Sequence, residues 1–321
     1  VETTFILRQQ QGELLSQLPH SATVADLKAP RVRNAFFPLV RYLRANPPDA
    51  LVAAMWPLTV LAPLAAKLAG FRGCVIISEH SPLSLAYAHR GRLHRLIMRL
   101  SQRLAYPLAD ARVAVSTGVA HDLERLSGLS LDAFNVIHNP AARGGVDPSA
   151  PRPEALTGLA GPIILSVGTL KPVKRHDLLL EAFARLPASL GARLCLLGDG
   201  AERTMLAQKA QTLGIAERVL MPGFVADPGP WYAHADLFVL CSDYEGFGNV
   251  IVEALEYGVP VVSTDCPVGP AEILANGRFG TLVPPGDTEA LARAMTSVLE
   301  DDVDRDALRM RARDFALGNI A

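Results

Sequence analysis

The sequence predicts an α/β protein of two doubly wound domains, each a parallel sheet flanked by crossover helices, and three observations carry this. From residue 162 onward, short apolar runs alternate with helical patterns in regular order, which is how strands joined by crossover helices read. The first half repeats that order more weakly. Between the halves, residues 140–161 hold Pro140, Gly144, Gly145, Pro148, Pro151, Pro153, Gly158 and Gly161, a run of breakers without periodicity that reads as a linker. The expected division is therefore a first domain at 1–142, a linker at 143–160 and a second domain at 161–321. Two domains of about 150 residues also suit a chain too long for one hydrophobic core.

In the second half, strands are expected at 162–167, 193–197, 218–221, 237–241, 259–263 and 280–283, with helices near 175–186, 201–213, 249–257, 269–276 and 287–299. Several of these strand runs are short and apolar throughout, as strands buried on both faces are. In the first half, strands are expected at 50–54, 74–78, 111–115 and 135–137. Two such domains would face each other across a cleft at the carboxyl ends of their strands, where open α/β sheets take ligands.

Composition narrows the function. Apolar residues make up 50% and charged residues 20% of the chain, a balance that fits filled interiors rather than disorder. A net charge of -1 supplies no global field to draw nucleic acid. Cys74, Cys195, Cys241 and Cys266 lack zinc-site or disulfide-framework spacing, which points to a reducing, cytoplasmic compartment. Residues 50–66 carry no charge, but Pro57 and Pro63 interrupt them and Lys67 ends them, which argues against a spanning helix. The chain opens on Val1 inside a strand-like run and closes at Ala321 within a charged helical pattern, so truncation is expected at the start and at the end.

Absent motifs exclude other chemistries. Gly198-Asp-Gly200 continues to Arg203, and Gly246-Phe-Gly248 to Ile251, so neither completes a nicotinamide fingerprint. The chain has no Gly-Lys pair for a Walker loop, and no His-x-x-x-His or Cys-x-x-Cys for a metal.

The strongest feature is Tyr244-Glu-Gly-Phe-Gly-Asn-Val-Ile-Val-Glu253, placed after a buried strand and opening a helix. Gly246 and Gly248 let the backbone approach a ligand, and the free N–H groups of Asn249 and Val250 form an anion site aided by the helix dipole. A diphosphate would fit there. Glu245 precedes the helix and Glu253 lies in its second turn, so the two carboxylates suit opposite ends of one ligand. Upstream, Val167-Gly-Thr-Leu-Lys171-Pro-Val-Lys174-Arg-His176 is a polar loop after a strand. Only five of the 31 basic residues are lysine, and two of them stand in this loop, which could neutralise phosphate. Taken singly, either segment also reads as solvated surface.

Together, Gly168 to Lys174, Leu197-Gly-Asp-Gly200, Pro222-Gly-Phe224, Glu245 to Glu253 and Ser263 to Leu274 resemble the nucleotide-binding half of glycosyltransferase family 4. The resemblance is close over about residues 160–300, and looser through Ser78-Glu-His80, Val115-Ser116 and Asn139-Pro140. It implies the GT-B fold of two Rossmann-like domains, a nucleotide-diphospho-sugar donor, retention of anomeric configuration, and no required metal or other cofactor. The family's E-x7-E motif falls on Glu245 and Glu253. By that match, Glu253 binds the ribose hydroxyls, Glu245 positions the donor sugar, and Lys174 meets the diphosphate with Asn249 and Val250. Gly223 and Phe224 lie near the base, while Gly168, Thr169, Lys171, Gly198, Gly246, Phe247 and Gly248 complete the donor site. The family commonly has Arg where this chain has Thr169, and Lys171 is the candidate to replace that contact. His80 is assigned a donor or acceptor contact from the first domain, beside the less certain Glu79.

One segment admits two readings. Arg92, Arg95, Arg99 and Arg103 share one helical face, with Leu93, Leu96, Ile97, Leu100 and Leu104 on another. Either the leucines pack on the first sheet beneath a solvated arginine row, or the arginines meet anionic lipid headgroups. The function expected overall is transfer of a hexose or N-acetylhexosamine from a UDP-sugar to a saccharide or lipid-linked acceptor in cell-surface glycan synthesis. The protein would then be cytoplasmic, or peripheral on the cytoplasmic face of the inner membrane. A nucleotide-sugar epimerase and a noncatalytic nucleotide-sugar-binding module are the alternatives.

Overall fold

The computed structural model describes residues 2–11, 15, 18, 19 and 21–320. The chain divides into two compact units, one of residues 1–115 and 119–136, the other of residues 116–118 and 137–321. Among the described residues, no helix is long and apolar enough to cross a membrane.

The first unit begins with β1 (Thr4–Leu7) and β2 (Thr23–Asp26), a parallel pair forming a small sheet of their own. After α1 (Phe36–Ala45) come β3 (Ala50–Ala54), α2 (Leu58–Ala69), β4 (Cys74–Glu79), the short α3 (Leu83–Ala86), α4 (Arg92–Ala105), β5 (Ala111–Ala114), α5 (Thr117–Ser127), of which residues 117 and 118 group with the second unit, and β6 (Asn135–Val136). Strands β3, β4, β5 and β6 pair in that order, all parallel. Burial alternates along β3, with Leu51 and Ala53 inside, as the pleat requires of a strand covered on one face. Between β4 and β5, Asp110 accepts from the Val75 N–H at 2.7 Å, satisfying a strand-start donor. At the end of β4, Glu79 is buried and accepts from Thr59 Oγ1 at 2.5 Å, Tyr106 OH at 2.7 Å and Trp56 N–H at 3.2 Å. Burial raises its pKa against the pull of those donors, and through them Glu79 ties the end of β4 to Trp56, to Thr59 of α2 and to Tyr106 just after α4.

Helix α4 departs from the expectation that its leucine face packs on the sheet. Leu93, Leu96, Ile97, Leu100 and Leu104 are all exposed, whereas Met98, Gln102 and Ala105 are buried. The inward stripe is narrow because α4 lies against α2 and the Trp56 ring, which approaches the His94 ring edge-on and Ser101 Oγ at 3.4 Å. Met98, Gln102 and Ala105 fill that inward stripe, and the leucine stripe, about 120° or more further round the helix, is turned outward.

The second unit runs β7 (Ile163–Val167), α6 (His176–Ala184), β8 (Arg193–Leu197), α7 (Arg203–Thr212), β9 (Val219–Gly223), α8 (Gly229–Ala233), β10 (Leu237–Leu240), α9 (Asn249–Glu256), β11 (Val261–Thr264), α10 (Pro270–Ile273), β12 (Thr281–Val283), α11 (Thr288–Glu300), α12 (Arg305–Arg313) and α13 (Leu317–Ile320). Its six strands are parallel in the order β12-β11-β10-β7-β8-β9. Apolar side chains from both elements build the core: Ile164, Leu194, Leu196, Val239 and Val262 from strands, with Leu179, Phe183, Leu206 and Leu291 from helices. Each such side chain contributes about 1.5–3 kcal/mol of transfer free energy. Strands β7, β8 and β10 are buried at nearly every position, which explains their unbroken apolar sequence. Helix α8 and strand β2 were not legible from periodicity, being only five and four residues long.

The carboxyl edges are laced together by loop backbone. Gly168 N–H reaches Leu197 O, Gly198 N–H reaches Gly223 O, and Leu170 N–H reaches Asp199 O, all at 2.9–3.0 Å. Gly198 has φ +130°, and a Cβ there would stand 2.0 Å from Gly168 O. Both the dihedral and the clash with backbone disfavour a side chain. Gly198→Ala is expected to lower the unfolding free energy by about 2 kcal/mol or more, measured by urea titration; a stability equal to the parent's would show that the two loops separate without cost.

Candidate functional site

Strand order places the site. From β7 the chain winds outward to β8 and β9, then returns to β10 on the other side of β7 and winds outward again to β11 and β12. Loops leaving β7 and β10 therefore diverge from adjacent strands, leaving a crevice at the carboxyl edge. The β7 loop carries Lys174 and the β10 loop carries Glu245. Lys174 Nζ donates to Glu245 Oε1 at 2.6 Å, and Ser242 Oγ donates to the same oxygen at 2.5 Å. The two loops are joined again where Asp243 N–H reaches Val173 O at 2.9 Å and Arg175 Nη1 pairs with Asp243 Oδ1 at 3.1 Å.

Lys174 and Glu245 have side chains only 16% and 13% exposed, so each is the other's necessary partner. Removing one member of a buried ion pair typically costs about 3–5 kcal/mol because a charge is stranded. Gly168 lies beneath the lysine, where an added Cβ would touch Lys174 Cε at 3.6 Å. Thr169 and Lys171 are exposed on the same loop, the Lys171 N–H turned back onto Thr169 O at 2.9 Å.

The β10 loop leads into α9 through Gly248, whose φ of +109° turns the chain sharply into the helix. The Ile251 N–H closes onto Gly248 O, which leaves Asn249 and Val250 supplying first-turn donors in the manner of any helix start. These donors and the helix dipole favour an anion. Glu253, in the second turn, accepts from Tyr232 OH at 3.0 Å and lies 4.0 Å from Arg143 Nη2. Burial pushes its carboxyl pKa upward while Tyr232 opposes the shift.

Further side chains support the loop between the two glutamates, among them Ser116, Asn139 and Glu272 from segments that the resemblance covers. Ser116 Oγ donates to Gly246 O at 2.7 Å, and Asn139 Nδ2 donates to Asn249 Oδ1 at 2.9 Å. The His138 ring stacks on buried Phe247 at 5.2 Å between centroids and shares a 2.7 Å hydrogen bond with Glu272 Oε1. Glu272 also accepts from Thr117 N–H and Oγ1; burial works upward on its pKa, but His138 and Thr117 hold it below the usual carboxylate range. Arg311 fixes the Glu272 and Ile273 carbonyls at 2.8 and 2.7 Å. Ser242, Tyr232 and Arg143 belong in this group too. Ser242 had a readable signal, standing at the strand end three residues before Glu245; Thr117, His138, Arg143, Tyr232 and Arg311 are distant in sequence and have none.

Lys174 and Glu245 thus meet directly with Gly168 beside the lysine, while Gly246, Phe247 and Gly248 follow Glu245 along the chain into α9, which carries Asn249, Val250 and Glu253. Gly198 and Gly223 sit one and two strands away along the edge, and Phe224, following β9, is 76% exposed. His80 belongs to the first unit, where it follows β4 with Nε2 3.1 Å from Ser78 Oγ, and burial lowers its pKa.

The family described as Glycosyl transferases group 1 matches residues 152–315, and Glycosyltransferase Family 4 matches residues 2–142. The N-acetylgalactosamine-N,N'-diacetylbacillosaminyl-diphospho-undecaprenol 4-alpha-N-acetylgalactosaminyltransferase of Campylobacter jejuni is 30% identical over 79% of this chain and 68% of its own length. Lipopolysaccharide core biosynthesis glycosyltransferase LpsE of Rhizobium meliloti is 36% identical over 66% of this chain and 60% of its own. The chain thus spans about two thirds or less of these relatives. Anabaena HepE, solved in complex with UDP, matches with a TM-score of 0.77 and 25% identity over 96% of this chain and 85% of its own. Parallel doubly wound units and this likeness put the fold in the GT-B class.

Beside Lys174, buried His176 opens α6, its Nδ1 without a partner among the described residues. Burial, reinforced by the Lys174 charge and opposed by Asp177, pushes the imidazole pKa down to about 4. A histidine depressed in the folded state contributes stability that is complete above its unfolded value of about 6.5 and is lost as pH falls toward about 4. The unfolding free energy should therefore decline through that window by up to about 3 kcal/mol, and His176→Leu should flatten the decline. Parallel pH profiles for the two proteins would show that His176 is not the group responsible.

Proposed function

Because the chain belongs to the group 1 glycosyltransferases of glycosyltransferase family 4, we propose that it moves a hexose or N-acetylhexosamine from a UDP-sugar to a saccharide or lipid-linked acceptor. The product is a cell-surface glycan, made on the cytoplasmic side with anomeric configuration retained. Support for the acceptor class comes from the Campylobacter and Rhizobium relatives, whose names specify a diphospho-undecaprenol acceptor and lipopolysaccharide core biosynthesis. Support for UDP comes from the HepE complex.

The single observation that carries the reading is the 2.6 Å contact of Lys174 with Glu245 at the strand-order reversal, next to the start of α9. On this reading the Lys174 ammonium and the first-turn N–H groups of Asn249 and Val250 stabilise charge growing on the leaving nucleoside diphosphate. Glu245, held by Lys174 and Ser242, keeps one oxygen for a donor-sugar hydroxyl. Glu253 takes the ribose hydroxyls, and exposed Phe224 offers a face to the base. The acceptor hydroxyl attacks the anomeric carbon from the side the diphosphate leaves. Its oxygen forms the new bond as the sugar–phosphate bond breaks, and its proton passes to a diphosphate oxygen. Positive charge for this comes from the protein, so the reading requires no metal. His80, as a neutral imidazole, contacts donor or acceptor from the first unit.

Thermal denaturation against UDP-, GDP- and ADP-sugars tests the donor, since a ligand bound by the native state alone stabilises it by about 2.7 kcal/mol at a hundred times its Kd. UDP-sugars should give the largest shift. Lys174→Met should cut kcat by roughly 10²–10³-fold, whereas Glu253→Ala should act mainly on the donor KM. Release of an epimerised free donor, or tight binding with no product on any acceptor, would overturn transfer.

A further inference from the structure

Two glutamates of α9 meet the segment that precedes β7. Glu253 and Glu256 stand three residues apart, so their side chains share one face of the helix. Glu256 accepts from two successive backbone donors, Gly144 N–H at 2.6 Å on Oε1 and Arg143 N–H at 3.2 Å on Oε2. Just before them, Ala142 N–H reaches Phe315 O at 3.3 Å. The backbone of Arg143 is thus anchored on the second unit. From that anchor its side chain extends to Glu253, with Nη2 4.0 Å from Oε1, while the buried Tyr232 donates its OH to Oε2 at 3.0 Å. The Tyr232 ring stacks on Tyr257 at 5.7 Å between centroids, which fixes that hydroxyl. Burial, aided by the Glu256 charge, favours the neutral form of Glu253; Tyr232 and Arg143 favour the charged one.

Resting on the assignment of the ribose hydroxyls to Glu253, we propose that Arg143 is a positioning residue of the donor site. Held by Glu256, it steadies Glu253 Oε1 as Tyr232 steadies Oε2, and so sets how strongly the protein distinguishes ribose from 2′-deoxyribose. An ionised carboxylate offers about four acceptor positions. One protein group stands at each oxygen, which leaves a position on each for the two neighbouring hydroxyls of a ribose. A hydrogen bond to a charged acceptor is about twice as strong as one to a neutral acceptor, so the guanidinium acts on the ligand through the carboxylate. An ion pair whose arginine is 70% exposed adds little to folding. The consequence of anchoring Arg143 therefore falls on the ligand rather than on stability.

The test is calorimetric titration of UDP and of 2′-deoxy-UDP into the full chain. The parent should bind UDP about tenfold more tightly than the deoxy form, the worth of one hydrogen bond to a charged acceptor. Arg143→Gln should cut that ratio to about threefold or less, by weakening UDP more than the deoxy form. Arg143→Lys, which keeps the charge without the planar fork, should return the ratio to about fivefold or more. Arg143 is exposed, so the melting temperature of the ligand-free Gln variant should match the parent's, which separates positioning from loss of the fold. If Glu253→Gln abolishes the ratio while Arg143→Gln keeps it, the positioning role alone is overturned. Equal weakening of both nucleotides by Arg143→Gln also overturns it, since that would mark a direct phosphate contact. A parent that does not bind UDP, or a Glu253→Gln variant with the parent's ratio, removes the ribose assignment of Glu253 and the role of Arg143 with it.

Discussion

The second unit depends on one reversal of strand order. Because β10 returns to pair with β7 on the side opposite β8, two loops far apart in sequence must leave the sheet side by side. A lysine on one and a glutamate on the other are thereby held at 2.6 Å with little access to water. Neither charge would be tolerated there alone. Their pairing, the extra donor from Ser242 and the lacing of neighbouring loops are consequences of that topology.

A cation, a carboxylate and a helix start then share one edge. The pair is neutral overall, so the positive end of α9 is not cancelled by a bare carboxylate beside it, and an anion approaching Asn249 meets the lysine as well. The loop that creates this arrangement is glycine-rich and would be free to sample other shapes. It is restrained by contacts at successive positions: Ser116 on Gly246, His138 on Phe247 and Asn139 on Asn249. Donors fixed before a ligand arrives need no reorganisation when charge develops, so on the proposed reading restraint of this loop would serve transfer as well as stability.

The first unit solves a different problem. Glu79 is buried with three donors, which ties the carboxyl end of β4 to its helices, and α4 presses a narrow stripe against α2 and Trp56. That contact takes Met98, Gln102 and Ala105 and leaves Leu93, Leu96, Ile97, Leu100 and Leu104 outside. An amphipathic pattern records that a helix has an apolar face; it does not record whether protein or another medium covers that face.

What the sequence by itself determined is the periodic part of the protein. The strands at 50–54 and 193–197 stand where the apolar runs predict, the first alternating in burial as a strand covered on one face does, the second buried nearly throughout and so left little freedom in composition. The start of α9 at Asn249 was legible from Gly248, and the likeness to glycosyltransferase family 4 from the spacing of Glu245 and Glu253. Tertiary structure alone decided the rest. Tyr232 on Glu253, His138 between Phe247 and Glu272, and the Lys174–Glu245 pair join residues 21 to 134 positions apart, and no local pattern encodes such meetings. The outward leucines of α4 belong with them, because which stripe of a helix is buried depends on the shape of the surface it meets, and that surface comes from other parts of the chain.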